Sequence, residues 1–593
     1  MHVIGRAIVL PLFLAFLCTQ ATQAATFIVN PAIQSADDAS PGTNDGQPLK
    51  TISAAAARVH AGDTVVIHAG LYRETVALKA SGTADQPIRF IAAPGATVIV
   101  TGTDRLTQWK KESPDAKLFS TDWPHAFITW NKSHTHPDDE YHRLIGRFEQ
   151  VFIRGYALRQ VLARGELTRG TFWVDLENKR LWAQSADDAD LSKPSAQVEA
   201  SVRPLVWDCT GQHVETRGIT FRYAANMAQH GAAQFSGTGD VVEDCVFEFA
   251  NAAGATFTAP DITVRRCIFR ENGQLGFGGS GAHRLTMTGC VVRGNNTKNF
   301  DRGWEAGGMK ICLSRDVVIE QCTFAENRGN GIWFDIGNQN CTVRNCLIER
   351  NEDGGIFYEI SSGLHAHDNV ILANGLADTP GAWATWAGIC LSSSPDCVVE
   401  RNLIVGNKEG LAFREQTRTT RSIDDKTERP IWNHDSTIRN NTIAWNRDAQ
   451  IAGWFDMKDQ RHWPVAMREK RAPSGVPIDD IAKDYVARSA SDQDTALSLE
   501  KLNLKLTSNV YALQPGQALV VWGPSWTRHK KYTAIDALQR DLSFGQQSVL
   551  TDLPFADFLA HDYRLPPNHP AIQFNCLPQG EVPQVRLGSI LLR

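Results

Sequence analysis

Beyond its first 25 residues the sequence has no apolar stretch approaching the ~20 residues a helix needs to cross a bilayer, and so no membrane span is expected in the rest of the chain. It also lacks an excess of positive charge: with a formal net charge of -5 it has no basic field to hold nucleic acid, and polyanionic substrates are disfavoured for the same reason. No CxxC pair and no His/Cys constellation with the spacing of a zinc site occurs. These absences leave a chain that would remain soluble and would meet a neutral partner more readily than a charged one.

The first residues differ from everything that follows. Arg6 precedes the run from Ala7 to Leu17, and small residues follow up to Ala24-Ala25. That is the pattern of a secretory signal peptide, here residues 1–24, which places the mature chain in the periplasm or outside the cell. Lipidation at Cys18 is disfavoured because bulky Leu17 stands where a small residue is needed. Twelve cysteines in an exported chain would ordinarily suggest a disulfide framework. Their positions point elsewhere.

From residue 214 a short apolar alternation, a polar residue, a small residue and an aliphatic pair recur, as in Val242-Glu243-Asp244-Cys245-Val246-Phe247 and Val343-Arg344-Asn345-Cys346-Leu347-Ile348. Aligning the residue before each aliphatic pair gives Gly218, Cys245, Cys267, Cys290, Cys322, Cys346, Asn369, Asn402 and Asn441, with steps that include 22, 23, 24 and 23 residues. A period of that length is one coil of a right-handed parallel β-helix, an all-β solenoid in which each strand pairs with its equivalent about 4.8 Å away. Equivalent residues then form ladders. The cysteine column is expected to be an internal ladder of small apolar thiols continued by asparagines, without disulfides; Cys209, Cys312, Cys341, Cys390, Cys397 and Cys576 fall outside it.

The period divides the chain. Residues 25–103, with the Ala-rich stretch Thr51-Ile52-Ser53-Ala54-Ala55-Ala56-Ala57, read as an N-terminal cap and first coils, which close the open end of the solenoid. Over 104–200 the period disappears and strands with hairpin spacing appear, among them Thr171-Phe172-Trp173-Val174-Asp175 turning through Glu177-Asn178-Lys179, as in an inserted β-sandwich. Its polar loop from His134 to Glu140 reads as a solvated loop, with a cleft wall or a metal site as alternatives. Residues 201–446 are the main β-helix, and 447–593 an irregular extension with the last coils; Arg447 to Ser508 reads as loops and short helices.

Chemistry is sought on an outward column. Thirteen residues after successive ladder positions stand Thr258, Ser280, Asp335 and Glu359, with Arg414 one residue short of that offset. Asp335 and Glu359 are therefore equivalent residues on consecutive coils, and their carboxyl groups should lie roughly 5 Å apart. Retaining glycosidases hold their two carboxyls about 5 to 5.5 Å apart and inverting ones about 6.5 to 9.5 Å, so the expected spacing suits retention. Close like charges also push two pKa values apart and can leave one carboxyl protonated. Aromatic pairs precede both acids, in Gly331-Ile332-Trp333-Phe334-Asp335 and Gly355-Ile356-Phe357-Tyr358-Glu359, and Gly303-Trp304-Glu305-Ala306-Gly307-Gly308 supplies a third carboxylate with Lys310 nearby. A solvated acidic ladder or a bound cation is the alternative use of such a column. Trp383 and Trp386 in a lengthened coil serve equally as cleft walls or as packing.

The Trp304-Glu305-Ala306-Gly307-Gly308 loop, the Trp333-Phe334-Asp335 strand and the Tyr358-Glu359 strand, with carboxylates 30 and 24 residues apart, resemble glycoside hydrolase family 120, β-xylosidases built on a parallel β-helix interrupted by a sandwich domain. The resemblance spans roughly Thr26 to Asn446. It implies Asp335 as nucleophile, Glu359 as general acid/base and Glu305 as an assisting carboxylate, with no cofactor. Trp304, Trp333 and Tyr358 would then shape a sugar subsite, and Lys310 or Arg414 would bind ring hydroxyls or tune a carboxylate. An oligo- or polysaccharide is the implied partner. Two other readings remain open: a polysaccharide lyase or uronan epimerase, which would need Lys, Arg or calcium to neutralise a uronate, and a non-catalytic surface β-helix that binds glycans.

Overall fold

The computed structural model describes residues 24–125, 127, 147–379, 385–416, 418–455, 502–524 and 530–590. The candidate signal peptide through Gln23, the His134–Glu140 loop, Trp383 and most of the segment from Arg447 to Ser508 lie outside the described residues.

Three sheets of 13 strands each run the length of the molecule, and each successive coil contributes one strand to every sheet. One sheet starts with Thr26–Val29 and Thr64–Ile67, a second with Gly70–Tyr72 and Val98–Thr101, and the third, which carries the site, with Val76–Leu78 and Trp207–Cys209. Pairing between coils is parallel and in register: Val242, Val264, Met287, Ile319 and Val343 follow one another up the first sheet, and Phe221, Phe247, Phe269, Val292 and Phe324 up the second. These residues point inward and are buried. Side chains alternate across a strand with a period of two, so every short strand sends one residue or two into the lumen and its neighbours outward. Equivalent aromatics stack: the rings of Phe247 and Phe269 are 4.7 Å apart and nearly parallel.

The cysteine column lies at the turn between the first and second sheets. The residue before each rung has a left-handed φ, as at Asp244 (55°), Arg266 (50°), Gln321 (51°) and Asn345 (51°), which turns the chain sharply and aims the rung inward. The cysteines are free and buried. Successive thiols accept from the backbone below, Cys267 N–H to Cys290 Sγ at 3.3 Å and Cys290 N–H to Cys322 Sγ at 3.3 Å. Cys346 N–H then donates to Asn369 Oδ1 at 3.0 Å, and the ladder continues through Asn402, Asn441 and Asn509. A second ladder, Asn272, Asn295, Asn327, Asn351, Asn374, Asn407 and Asn446, lines the turn between the second and third sheets. Each amide satisfies backbone groups that the turn leaves unpaired, which is where a buried polar side chain stabilises rather than costs.

At the N-terminal end a single helical turn, Ile52–Ala56, buries Ile52, Ala55 and Ala56 over the first coil, with Thr51 Oγ1 accepting from Ala54 N–H at 3.1 Å. Between Thr103 and Ser201 the coils are interrupted by two small sheets of four and five strands. They share a core of their own that includes Trp109, Phe119, Trp123, Phe172, Leu181 and Val198. The Thr171–Asp175 and Arg180–Gln184 strands form its hairpin, with Asp175 opposite Arg180 and Lys179 at φ 52°. This insertion leans on the coils where the Phe152 and Tyr223 rings meet at 3.8 Å. The solenoid continues past Asn441: Lys505–Thr507, Val510–Ala512 and Ala518–Pro524 stack as one more coil. The last residues fold back along the outside of the second sheet, where Tyr563, Leu565, Cys576 and Leu577 cover Leu347, Val370, Leu403 and Val405.

Candidate active site

The outward row of the third sheet is fixed by register. Ser280 pairs with Cys312, Cys312 with Asp335, Glu359 with Ser392, and Ser392 with Arg414. Phe334 pairs with Tyr358, so Asp335 and Glu359, one residue further on, stand on neighbouring strands whose spacing is about 4.8 Å. The row thus contains Arg414 in register, and also Cys312 and Ser392, which a constant thirteen-residue offset does not reach. Lengthened coils explain those two: helix Arg302–Glu305 is looped out before the strand of Cys312, and the strand of Ser392, Ala387–Ser392, begins 15 residues after the end of Val370–Leu372.

Asp335 and Glu359 meet different cations. Lys310 Nζ lies 3.0 Å from Asp335 Oδ2 and 3.9 Å from Glu305 Oε1, donates to the Trp304 carbonyl at 3.2 Å and sits 4.0 Å above the Trp333 ring. Lys310 is buried, so these contacts hold it as part of the carboxylate cluster rather than as a free arm for sugar hydroxyls. Arg418 Nη1 lies 2.8 Å from Glu359 Oε1. Arg414 and Arg418 both donate to Gln416 Oε1, at 2.9 and 3.2 Å, and the Arg414 guanidinium lies 5.8 Å from the Phe357 ring.

Burial raises the pKa of Glu305; Lys310 opposes the rise and Asp335 adds to it. For Lys310 burial works downward, but Glu305 and Asp335 outweigh it and the ammonium is held above its ordinary value. The Cys312 thiol is pushed up to about 12, first by burial; Lys310 opposes this, and Asp335, Glu305 and Glu359 reinforce it. All three carboxylates therefore act on one point of the row. A thiol shifted that far is protonated and inert as a nucleophile.

Helix Arg302–Glu305 brings Glu305 to the cluster. It is capped by Asp301, whose carboxylate accepts from Gly303 N–H at 2.8 Å, and Arg302 ties it to Glu352 and Asp353, two coils on, and to Thr379, one coil further. Gly307 then returns the chain to the strand at φ 124°, where a Cβ would stand 2.4 Å from the Asn330 carbonyl; no other residue fits. Trp304 packs beside Phe300, Ala228 and Ala306 at the same corner.

Tyr358 differs from its expected role. Asp335 and Glu359 point outward, so by alternation Phe334 and Tyr358 point into the lumen; Tyr358 is fully buried in the core and its hydroxyl donates to the Ser362 carbonyl at 2.7 Å. It cannot shape a sugar subsite. The outward aromatics are Trp333 and Phe357, whose rings are 5.3 Å apart on the outer face. Trp386 lies under Lys408, whose ammonium is 3.6 Å from its ring.

Residues absent from the sequence reading also belong here. Arg418 comes from an antiparallel hairpin, Arg418–Arg421 with Glu428–Ile431, that interrupts the coil and has no place in the repeat. The residues after the two acids, Ile336 and Ile360, have φ of 38° and 41°, which a β-branched residue adopts only under strain, and strain of this kind gathers at functional sites. Away from the row, Asp396, His434 and Asp435 bring possible metal-ligand atoms within 4.8 Å of one another.

The right-handed β-helix region family matches residues 231–385. No curated protein matches the chain. Among solved structures, one described as the complex of XylC with xylose is 14% identical, with a TM-score of 0.61 over 90% of this chain and 87% of that one. A structure described as a glycoside hydrolase is 13% identical, with a TM-score of 0.42 over 73% and 94% of the two chains. A rhamnogalacturonan lyase is 12% identical, with a TM-score of 0.33 over 71% and 82%. The chain is a right-handed parallel β-helix. At these identities the likeness is one of fold, and the similar structures bear the names of carbohydrate-active enzymes, hydrolases, lyases and epimerases among them.

Proposed function

We propose that this chain is an exported retaining glycoside hydrolase acting on glycosides derived from polysaccharides, with β-xylosides the first substrates to try. The observation that carries this reading is the placing of Asp335 and Glu359 on adjacent strands of the outward row, each held by a separate cation, with Glu305 sharing Lys310 beside them. Neighbouring strands hold two carboxyls at about the separation that nucleophile and acid/base need for retention.

In the proposed reaction Glu359 gives its proton to the glycosidic oxygen as Asp335 attacks the anomeric carbon, releasing the leaving alcohol and forming a glycosyl ester on Asp335. Glu359, now a carboxylate, takes a proton from water, whose oxygen attacks the same carbon and frees Asp335. Lys310 orients Asp335 throughout, because its ammonium is fixed by the Trp304 carbonyl and the Trp333 ring. Glu305, which shares Lys310 with Asp335, stands beside the nucleophile as an assisting carboxylate, its pKa raised by burial.

The test is release of phenol from a panel of aryl glycosides by the wild type, Asp335→Ala and Glu359→Ala. The wild type is expected to cleave at least one; Asp335→Ala should lose 10³-fold or more, on the order of what removing a catalytic nucleophile costs, and azide should restore turnover to Glu359→Ala by replacing the water that needs a base. Absorbance growing near 235 nm on alginate or pectin, with no phenol released, would instead assign lyase chemistry. Glycan binding without turnover by any route would leave a binding protein.

A further inference from the structure

The hairpin formed by Arg418–Arg421 and Glu428–Ile431 is an addition to the coil, since the solenoid would close without it between the strands Glu409–Glu415 and Thr437–Arg439. It does not project freely. Thr420 Oγ1 donates to the Ile360 carbonyl at 2.6 Å, and Asp424 in its turn pairs with Arg315 at 2.5 Å. Ile360 follows Glu359 directly, and Arg315 follows the strand of Lys310 and Cys312, so the hairpin reaches back past the coils that carry both acids. Gly337, two residues after Asp335, has φ 72°, and a Cβ there would stand 2.6 Å from the Arg421 carbonyl. The coil has been cleared to let the hairpin lie against it.

Arg418, the first residue of this hairpin, puts Nη1 2.8 Å from Glu359 Oε1, and Gln416 Oε1 accepts from the same guanidinium nitrogen at 3.2 Å and from Arg414 at 2.9 Å. Glu359 is thus gripped at two points by one element: its carboxylate by Arg418, and the carbonyl of the strained residue after it by Thr420. A carboxylate must be held within a fraction of an ångström of the bond it protonates, and strand pairing fixes only its backbone. We infer that the hairpin belongs to the catalytic apparatus and that Arg418 is a positioning residue for Glu359. This rests on the proposed role of Glu359 as general acid/base and adds the element that aims it.

A residue that aims the acid has a kinetic signature that a merely structural one lacks. Proton donation matters most when the leaving group is poor and little when it departs readily as an anion. The experiment measures kcat/KM for aryl glycosides whose phenols range from dinitrophenol to unsubstituted phenol, in the wild type, Arg418→Ala, Arg418→Lys and Thr420→Val. Arg418→Ala is expected to lose on the order of 10²-fold on the poorest leaving group and only a few-fold on the best, in line with the usual worth of general-acid catalysis. Arg418→Lys should recover part of the loss. Thr420→Val, which leaves Arg418 in place and keeps the fold safe, should show a smaller loss with the same trend. An equal loss across the series, or none, overturns the role of Arg418 while leaving Glu359 as acid/base; a wild type that cleaves none of these glycosides, or whose Glu359→Ala variant is unimpaired, overturns both.

Discussion

Glu359 and Glu409 are acids on the same outer sheet, but their surroundings ask different things of them. Glu359 meets Arg418, whereas Glu409, 1% exposed, accepts from Trp454 Nε1 at 2.8 Å. Burial pushes the pKa of Glu409 up from 4.5 to about 7; Trp454 opposes this and Asp448 adds to it. Below pH 4.5 the carboxyl is protonated whether the chain is folded or not, and its contribution is complete. As pH rises the unfolded chain loses this proton first, so stability falls until about pH 7 and then levels, by on the order of 3 kcal/mol in all at about 1.4 kcal/mol per unit. Melting temperatures of wild type and Glu409→Gln between pH 4 and 9 check this: the wild type should lose ground against the variant as pH rises, and parallel curves would show that Glu409 does not titrate there. Tyr358 makes a different point at this scale. It stands next to a candidate acid in sequence, but the period-two alternation of a strand sends it inward, so adjacency along the chain is the wrong guide to adjacency in a site.

Among the elements, the ladders of the turns are as important as the sheets. Asn351 Oδ1 accepts from Asn327 N–H and Nδ2 at 3.2 and 2.9 Å, and its own Nδ2 donates to the Phe324 carbonyl and to Asn374 Oδ1 at 3.1 and 2.9 Å. Asn351→Ala would strand several buried polar groups, each costing about 1–3 kcal/mol. The expected result in urea unfolding is a loss of at least 3 kcal/mol; a loss below 1 kcal/mol would mean that the rung is dispensable. The rungs of the other ladder, from Cys245 to Asn441, were legible in the sequence because Cys and Asn recur at the coil period. The paired positions of Asp335 and Glu359 were legible for the same reason, both coils having the same length between turn and acid. Arg418 was not, because a hairpin inserted in a turn has no repeat position and its contact with Glu359 is set by how it folds back over two other coils. Cys312 and Ser392 were hidden by the same cause, a changed coil length.

At the scale of the whole molecule, stacking converts sequence distance into proximity. Lys310, Asp335, Glu359 and Arg414 span more than a hundred residues but occupy four of five adjacent strands of one sheet, and the loops that bring in Glu305 and Arg418 are additions to a scaffold whose lumen is continuous hydrophobic core. The fold class follows from periodicity alone; the proposed chemistry depends on where the period is broken, at the helix of Glu305 and the hairpin of Arg418. The most direct measurement uses the 2-deoxy-2-fluoro derivative of whichever aryl glycoside the protein cleaves, which slows release of a glycosyl ester enough to locate it by mass spectrometry of the digested protein. The expected result is one fluorosugar on the peptide that carries Asp335, with none on Asp335→Ala. A label on another residue, or turnover that inverts the anomeric centre and leaves the protein unlabelled, would contradict it.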